Sequence, residues 1–365
     1  MAEVQIGSIL VRKAVPDDGP ALASAIEQIN GETVFLAEPG QALGWAESAQ
    51  QRLREMQTTD SGLYMVATNA RAIIGYVGAF SGRLARVRSV IFVRHLGVRQ
   101  SFRRQGVGRR LVASIESWAR AKQAHRLELR VDEHNAAALS LYRGTGFQVE
   151  GRIADAVRLD GRWHAHYWMG LPVRARTEPR WNPLDQPRPK QRRHIERLTL
   201  REPLPRDARL MWEWERTLLA GSPFHLKLPT EVSGPAWIAA ELVANAARKD
   251  RFALAAFAGP EPSRIVGLVR AWIEPGARVR HDAMFGLNVL PEWSGDGIGG
   301  KFANALEAWA RSRGIRRLTT WVQAHNVRGL RFADNLRFER EVLVRDYAVI
   351  DGRVAGRLGL GKVLC

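Results

Sequence analysis

The sequence predicts an α/β fold, an α+β mixed sheet layered with helices, present twice in tandem. Three observations carry that reading. The first half alternates short strands with amphipathic helices in the order β-α-α-β-β-β-α-β-α-β-β. The chain also matches itself at a shift of 191 residues: from Leu96 to Arg162, against Leu287 to Arg353, no gap is needed and 20 of 67 positions are identical. Finally, each half carries a strand that runs through a Gly-x-Gly loop into a helix, at Gly106/Gly108 and at Gly297/Gly299.

The elements of the first half follow from periodicity and punctuation. Ile9–Lys13 alternates as a short strand, and 17–27 is helical with Asp17 or Asp18 as its N-cap. The stretch 46–57 is a second helix. Leu63–Thr68, Ile73–Phe80 and Ile91–Val98 are strands separated by turn residues. Between 108 and 122, Leu111, Ile115, Trp118 and Ala119 fall on one helical face. Leu127–Val131 is a strand, 136–142 a helix, and 147–158 with 163–169 a closing strand pair. Near the front, Val11-Arg12…Pro16…Asp18 resembles Leu200-Arg201…Pro205…Asp207. The domains expected are 1–171, a Pro/Arg-rich extended linker 172–197, and 198–365, the two halves related by a pseudo-twofold axis.

Composition bounds the function classes. Hydrophobic residues are 45% and charged residues 25%, enough to bury two cores in a globular chain. No run approaches a membrane-spanning length, and the first residues lack a basic segment leading into an apolar one, so neither a membrane partner nor a leader is expected. The single cysteine, Cys365, rules out an internal disulfide and a Cys-based metal cluster; no metal is expected, and a cytoplasmic location is the default expectation. The net charge of +18 is spread as +6 over 1–172, +5 over 173–197 and +7 over 198–365. Such a balance suits anionic ligands, a phosphorylated co-substrate among them. Nucleic acid is disfavoured, because no recognition helix or aromatic-basic stacking platform is identifiable.

The chemistry concentrates in two blocks. In the first, the strand ending at Val98 feeds Arg99-Gln100-Ser101-Phe102-Arg103-Arg104-Gln105-Gly106-Val107-Gly108-Arg109. Glycines admit close approach of backbone N–H groups to an anion, and the helix start adds unpaired donors and a positive dipole end. In the second, Asn135 is placed to N-cap a helix on which Ala138 and Tyr142, four residues apart, share a face, and Gly146-Phe147 re-enters a strand.

Together these blocks resemble the acetyl-CoA motifs of the GNAT superfamily, V-x-x-x-x-[QR]-x-x-G-x-[GA] and N-x-x-A-x-x-x-Y-x-x-x-G-F, through Val98, Arg103, Gly106, Gly108, Asn135, Ala138, Tyr142, Gly146 and Phe147. The likeness covers about 9–171, and the repeat extends it to about 198–364. The resemblance implies acetyl-CoA as co-substrate. Leu96, Gly97 and Val98 would pair with its pantetheine arm, and Arg103, Arg104, Gln105, Gly106, Val107, Gly108 and Arg109 would cradle its pyrophosphate. Asn135 and Ala138 would meet the arm, and Tyr142 would serve the leaving thiolate. A phenol, with a pKa near ~10, can hydrogen-bond or protonate a thiolate whose thiol titrates near ~8.5. The acceptor would be a small-molecule amine or a peptide or protein N-terminal amine, attacking directly in a ternary complex. The base that frees it stays open between His95, Glu32 and Glu128.

The second half departs from the pattern. Leu287, Val289, Gly297, Gly299 and Asn326 survive as candidates for cofactor contact, but Ser294 stands at the Arg103 position, Asp296 brings a negative charge into the loop, and Ala333 stands at the Tyr142 position. The first half is therefore expected to be catalytic and the second degenerate, with an acyl-CoA sensor without turnover, or two active halves, as alternatives. A monomer with an internal pseudo-dimer and a homodimer are both compatible with the repeat.

Overall fold

The computed structural model describes residues 4–6, 9–36, 48–70, 72–181, 198–259 and 264–364. It resolves into two compact units. The first comprises Met1–Arg83, Val87–Ile153 and Leu159–Thr177; the second comprises Leu84–Arg86, Ala154–Arg158 and Glu178–Cys365. The start of the helix expected at 46–57, and linker residues 182–197, lie outside the described residues.

The first unit is built on strands β1 (Val4–Ile6), β2 (Ile9–Lys13), β3 (Gly62–Asn69), β4 (Ala72–Ser81), β5 (Val90–Val98), β6 (Arg126–Asp132), β7 (Gln148–Leu159, of which 154–158 count with the second unit) and β8 (Arg162–Pro172). Their order is β1-β2-β3-β4-β5-β6-β8-β7. Neighbours from β1 to β5, and β6 with β8, are antiparallel; β5 and β6 are parallel. Helices α1 (Gly19–Gly31) and α2 (Ala49–Thr59) precede β3, α3 (Val107–Ala121) joins β5 to β6, and α4 (Ala136–Gly144) joins β6 to β7.

The strand side chains alternate between two cores, as a period of two requires. Leu63, Met65 and Ala67 of β3 pack with Leu111, Ile115 and Trp118 of α3. Tyr64 and Val66 of the same strand pack with Leu22, Ile26 and Ile29 of α1 and Leu53 of α2. The sheet is thus covered on both faces, which explains why β3 is buried along nearly its whole length.

The second unit repeats the plan. Its strands are β9 (Leu198–Arg201), β10 (Arg251–Ala258), β11 (Arg264–Ile273), β12 (Asp282–Val289), β13 (Arg317–Gln323), β14 (Glu339–Ile350) and β15 (Arg353–Val363), ordered β9-β10-β11-β12-β13-β15-β14. Its helices are α5 (Ala208–Ala220), α6 (Pro235–Ala246), α7 (Ile298–Ser312) and α8 (Val327–Asn335). Again the parallel pair is the one flanking the Gly-x-Gly helix, here β12 with β13.

Two repeated devices account for sequence matches that periodicity alone leaves unexplained. Asp18 stands at the N-cap position of α1, but its side chain makes no cap bond to the helix. Its carboxylate takes two bonds from the Arg12 guanidinium, at 2.6 and 2.7 Å, and one from the Val15 N–H at 2.8 Å. The hydrogen bonds from the Arg12 guanidinium, more than any other influence, hold the Asp18 carboxyl below its usual pKa. Asp207 binds Arg201 and the Leu204 N–H in the same way. The second device is a buried arginine. Arg126 meets Glu128 at 3.0 Å and Glu150 at 2.6 Å, all three withdrawn from water. Its counterpart Arg317 is ion-paired with Glu341 and lies 3.8 Å from Asp282. The second carboxylate of each set therefore stands on a different strand: β6 in the first unit, β12 in the second.

The units differ at one point that bears on function. In the first, Tyr76 faces Gly97 and Gly78 faces Arg94, so β5 carries one more residue than β4 there. This bulge contains His95, at φ 55°. The equivalent β11–β12 ladder runs without a shift from Gly267/Val289 to Ile273/Ala283. His95 is the extra residue of the first unit.

Candidate active site

The site of the first unit begins where β5 and β6 part. They pair only from Val90/Arg126 to Phe92/Glu128. Beyond that the β6-facing edge of β5 has no strand partner among the described residues, and the bulge at His95 turns it further. Leu96, Gly97 and Val98 lie on this free edge, which offers backbone donors and acceptors to an extended, amide-bearing chain. Gly97 is a glycine for a different reason: a Cβ there would stand 2.7 Å from Ile29 Cγ2.

The loop after β5 is partly tied to itself. Arg103 donates from Nε to the Val98 carbonyl at 2.9 Å and from Nη2 to Glu32 at 3.1 Å, and Glu32 also accepts the Gln100 N–H at 2.5 Å. Arg103 and Glu32 are thus ion-paired with one another beside the loop. Gln105 donates to the Ser101 carbonyl at 3.0 Å. Arg104, at φ 60°, and Arg109 are exposed.

Gly106 is the N-cap of α3 at φ 78°, with open space where a Cβ would be. Only glycine takes that conformation at little cost. The first intrahelical bond runs from the Arg110 N–H to the Gly106 carbonyl. The N–H groups of Val107, Gly108 and Arg109 thus remain at the helix start, in the arrangement that binds anions. Val107 points its side chain into the core, so it can serve only through its backbone. A Cβ on Gly108 would meet Leu141 of α4 at 3.1 Å. This glycine lets two helices approach, so its sequence signal reports packing as well as ligand access.

Asn135 spends its Oδ1 on the Ala138 N–H at 3.1 Å, capping α4, and keeps its amide as a donor. Ala138 packs at the edge of the core. Tyr142 is 7% exposed, with Phe147 set edge-on at 5.6 Å between ring centroids. Burial pushes the phenol well above its usual pKa, so it stays protonated across the neutral range. Its hydroxyl takes no hydrogen bond from the described residues.

The base candidates separate in this geometry. Glu128 is fully buried and ion-paired with Arg126 at 3.0 Å. His95 keeps an exposed edge, yet enough of its ring is withdrawn from water that desolvation, followed by the charge of Arg94, holds it below the ordinary imidazole value. It is neutral at pH 7. A second group of titratable side chains was not anticipated: Asp132 at the end of β6 and His134 just beyond it converge with His164 of β8. The sequence signal was a pair of alternating motifs, Asp-x-His at 132–134 and His-x-His at 164–166, separated by α4 and β7.

The second unit holds a cavity of about 890 Å³. Leu287, Val289, Gly297, Gly299 and Asn326 all line it, with Ala333, Arg270, Arg328 and Gln323. Asn326 caps α8 through the Gly329 N–H at 2.9 Å. Ser294 and Gly295 line the cavity, and Asp296 does not. Among the described residues, the buried Oε1 of Gln323 and Nη1 of Arg328 find no hydrogen-bond partner.

A family model described as the acetyltransferase (GNAT) family matches residues 32–147 and again 208–338. Among curated proteins, an N-alpha-acetyltransferase RimI of Mycobacterium tuberculosis is 35% identical over 99 residues, 27% of this chain and 60% of that protein. An L-methionine sulfoximine/L-methionine sulfone acetyltransferase of Pseudomonas paraeruginosa is 28% identical over 105 residues, 27% of this chain and 58% of that protein. The chain thus spans about three-fifths of the length of these relatives. Among solved structures, an acetyltransferase of the GNAT family from Streptococcus pneumoniae gives a TM-score of 0.43 at 26% identity, covering 45% of this chain and 99% of that one. A putative acetyltransferase from Salmonella typhimurium with its cofactor acetyl-CoA gives 0.42 at 18%, covering 47% and 97%.

Proposed function

The chain belongs to the GNAT acetyltransferase family, and on that premise we propose that it is an acetyl-CoA-dependent N-acetyltransferase whose first unit performs the turnover. The observation that carries this reading is the wedge left between β5 and β6, walled by the free edge of β5, the donor-bearing start of α3, and Tyr142 on α4. The pantetheine arm would pair with Leu96–Val98. The pyrophosphate would rest on the N–H groups of Val107, Gly108 and Arg109, with Arg104 and Arg109 as cations.

The neutral acceptor amine attacks the thioester carbonyl, the new C–N bond forms, and the C–S bond breaks. The proton lost by the amine passes to His95, directly or through water. The departing thiolate is met by the Tyr142 hydroxyl, which burial keeps protonated. The acceptor is a primary amine, of a small molecule or of a peptide or protein N-terminus.

A second reading concerns the other unit. Its cavity and its capped α8 support acetyl-CoA binding there, while Ala333 leaves no phenol for the thiolate. A matched pair of variants tests the division of labour. Arg109 and Gly300 occupy equivalent helix positions; Arg109 is exposed and a Cβ on Gly300 would meet nothing within 4 Å. Arg109→Glu should raise the KM for acetyl-CoA at least ~10-fold in a thiol-release assay with an amine panel, whereas Gly300→Glu should leave turnover intact. Loss of turnover in Gly300→Glu alone, with both proteins folded, reverses the assignment.

A further inference from the structure

We propose that Asp132, His134 and His164, with His166 alongside, form a binding site for a divalent transition-metal ion of the zinc type in the first unit. Three imidazoles turn a nitrogen toward one carboxylate. His164 Nδ1 lies 2.9 Å from Asp132 Oδ2, His134 Nδ1 3.4 Å from Oδ1, and His166 Nε2 3.9 Å from Oδ2. The ligating atoms of Asp132, His134 and His164 all lie within 4.8 Å of one another. Ligands held ~2.0–2.1 Å from a tetrahedral ion stand roughly 3.3 Å apart, close to the 2.9 Å of His164 to Oδ2 and the 3.4 Å of His134 to Oδ1.

The fold explains the convergence. Asp132 is directly opposite His166 in the β6–β8 ladder, so the two share a face of the sheet. His164, two residues along β8, shares that face too. The chain leaving β6 then folds back, with the His134 N–H bonded to Asp132 Oδ1 at 2.8 Å. Asp132 is almost completely buried, His164 and His166 are largely buried, and only His134, with 58% of its side chain exposed, stands in water. A buried carboxylate ringed by imidazoles, with one solvent-facing side, is the donor set of an accessible site that keeps an exchangeable position. Imidazole nitrogen selects against calcium and magnesium, which take oxygen.

The chain contains its own comparison. The register that pairs Asp132 with His166 pairs Gln323 with Arg357 in the second unit. There His134 becomes His325 and His164 becomes Ala355. The sheet therefore forms without these ligands, and the second unit has replaced an anion with an amide and an imidazole with a cation. The cluster belongs to the first unit's own chemistry and is not a requirement of the fold.

The test is a calorimetric titration of the full-length, tag-free, chelator-stripped protein with zinc chloride, repeated with cobalt chloride to follow visible absorption bands. The wild type should saturate one site. His134→Ala, at an exposed position where folding is safe, and His164→Ala should each weaken binding at least ~10-fold, and Asp132→Asn should do the same. His325→Ala in the second unit should bind as the wild type does. A wild type that does not saturate, or ligand variants that bind as tightly as it does, overturns the proposal. Neither readout involves acetyl-CoA, so this result and that of the thiol-release assay are independent.

Discussion

Replacing Tyr142 by Phe separates the chemistry of the hydroxyl from the packing of the ring. The side chain is 7% exposed and meets Phe147 edge-on, a contact that phenylalanine preserves. The hydroxyl takes no hydrogen bond from the described residues, so none is broken on its removal. A typical intramolecular bond contributes about 1 kcal/mol, and the stability change should stay below that figure. Catalysis should respond differently. A positioned acid contributes about 10²–10⁴ in rate, or about 3–5 kcal/mol of barrier. We therefore expect kcat to fall at least ~10-fold and as much as ~10⁴-fold, with acetyl-CoA affinity unchanged because the pyrophosphate donors are untouched. Stopped-time thiol release gives kcat, calorimetry gives affinity, and a thermal melt gives stability. A variant with wild-type kcat would refute the reasoning. A variant that lost its fold would equally refute the claim that the hydroxyl is unbonded.

Four other outcomes follow. Arg126→Leu should cost about 3–5 kcal/mol in denaturant unfolding, since it strands the carboxylates of Glu128 and Glu150 in a buried setting. Gly106→Ala meets no atom but must hold φ 78°, so it should cost about 1 kcal/mol, whereas Gly108→Leu must displace Leu141 and should cost more in the same assay. If His95 receives the amine proton, the acid limb of kcat/KM should lie below pH 6.5, because its pKa is depressed and the neutral form is the working one; His95→Gln should abolish that limb. His225 is held at about 4, first by burial and then by Arg86. The unfolded chain therefore binds the extra proton between about pH 6.5 and 4. Stability present above that window should decline as pH falls through it, and His225→Gln should flatten the thermal midpoint against pH there.

Much of this architecture is legible in the sequence because it rests on local rules. The strand–Gly-x-Gly–helix run, the Asn135 cap and the amphipathic face of α3 each follow from residues near one another in the chain. The match of Arg12…Asp18 with Arg201…Asp207 also marks a real device, although its purpose, a bidentate ion pair, shows only in three dimensions. What escapes is set by distant partners. Glu128 reads as a free carboxylate until Arg126 is seen beside it on the same strand face. Gly108 reads as a phosphate glycine until Leu141 appears opposite. The bulge at His95 is hidden because one inserted residue leaves no compositional trace; it surfaces only when the two ladders are laid side by side.

The relocated carboxylate beside each buried arginine limits what can be exchanged between the duplicated halves. Arg126 relies on a glutamate from its own strand, and Arg317 on an aspartate contributed by the strand next door. Transplanting β13 into the place of β6 would bring Thr319 where Glu128 was, with Val90 as the neighbour, and leave the arginine one anion short. The reverse graft would set Glu128 beside Asp282 and crowd the pocket with an extra negative charge. A graft that keeps each arginine's full set of carboxylates must therefore carry the parallel strand pair as a block.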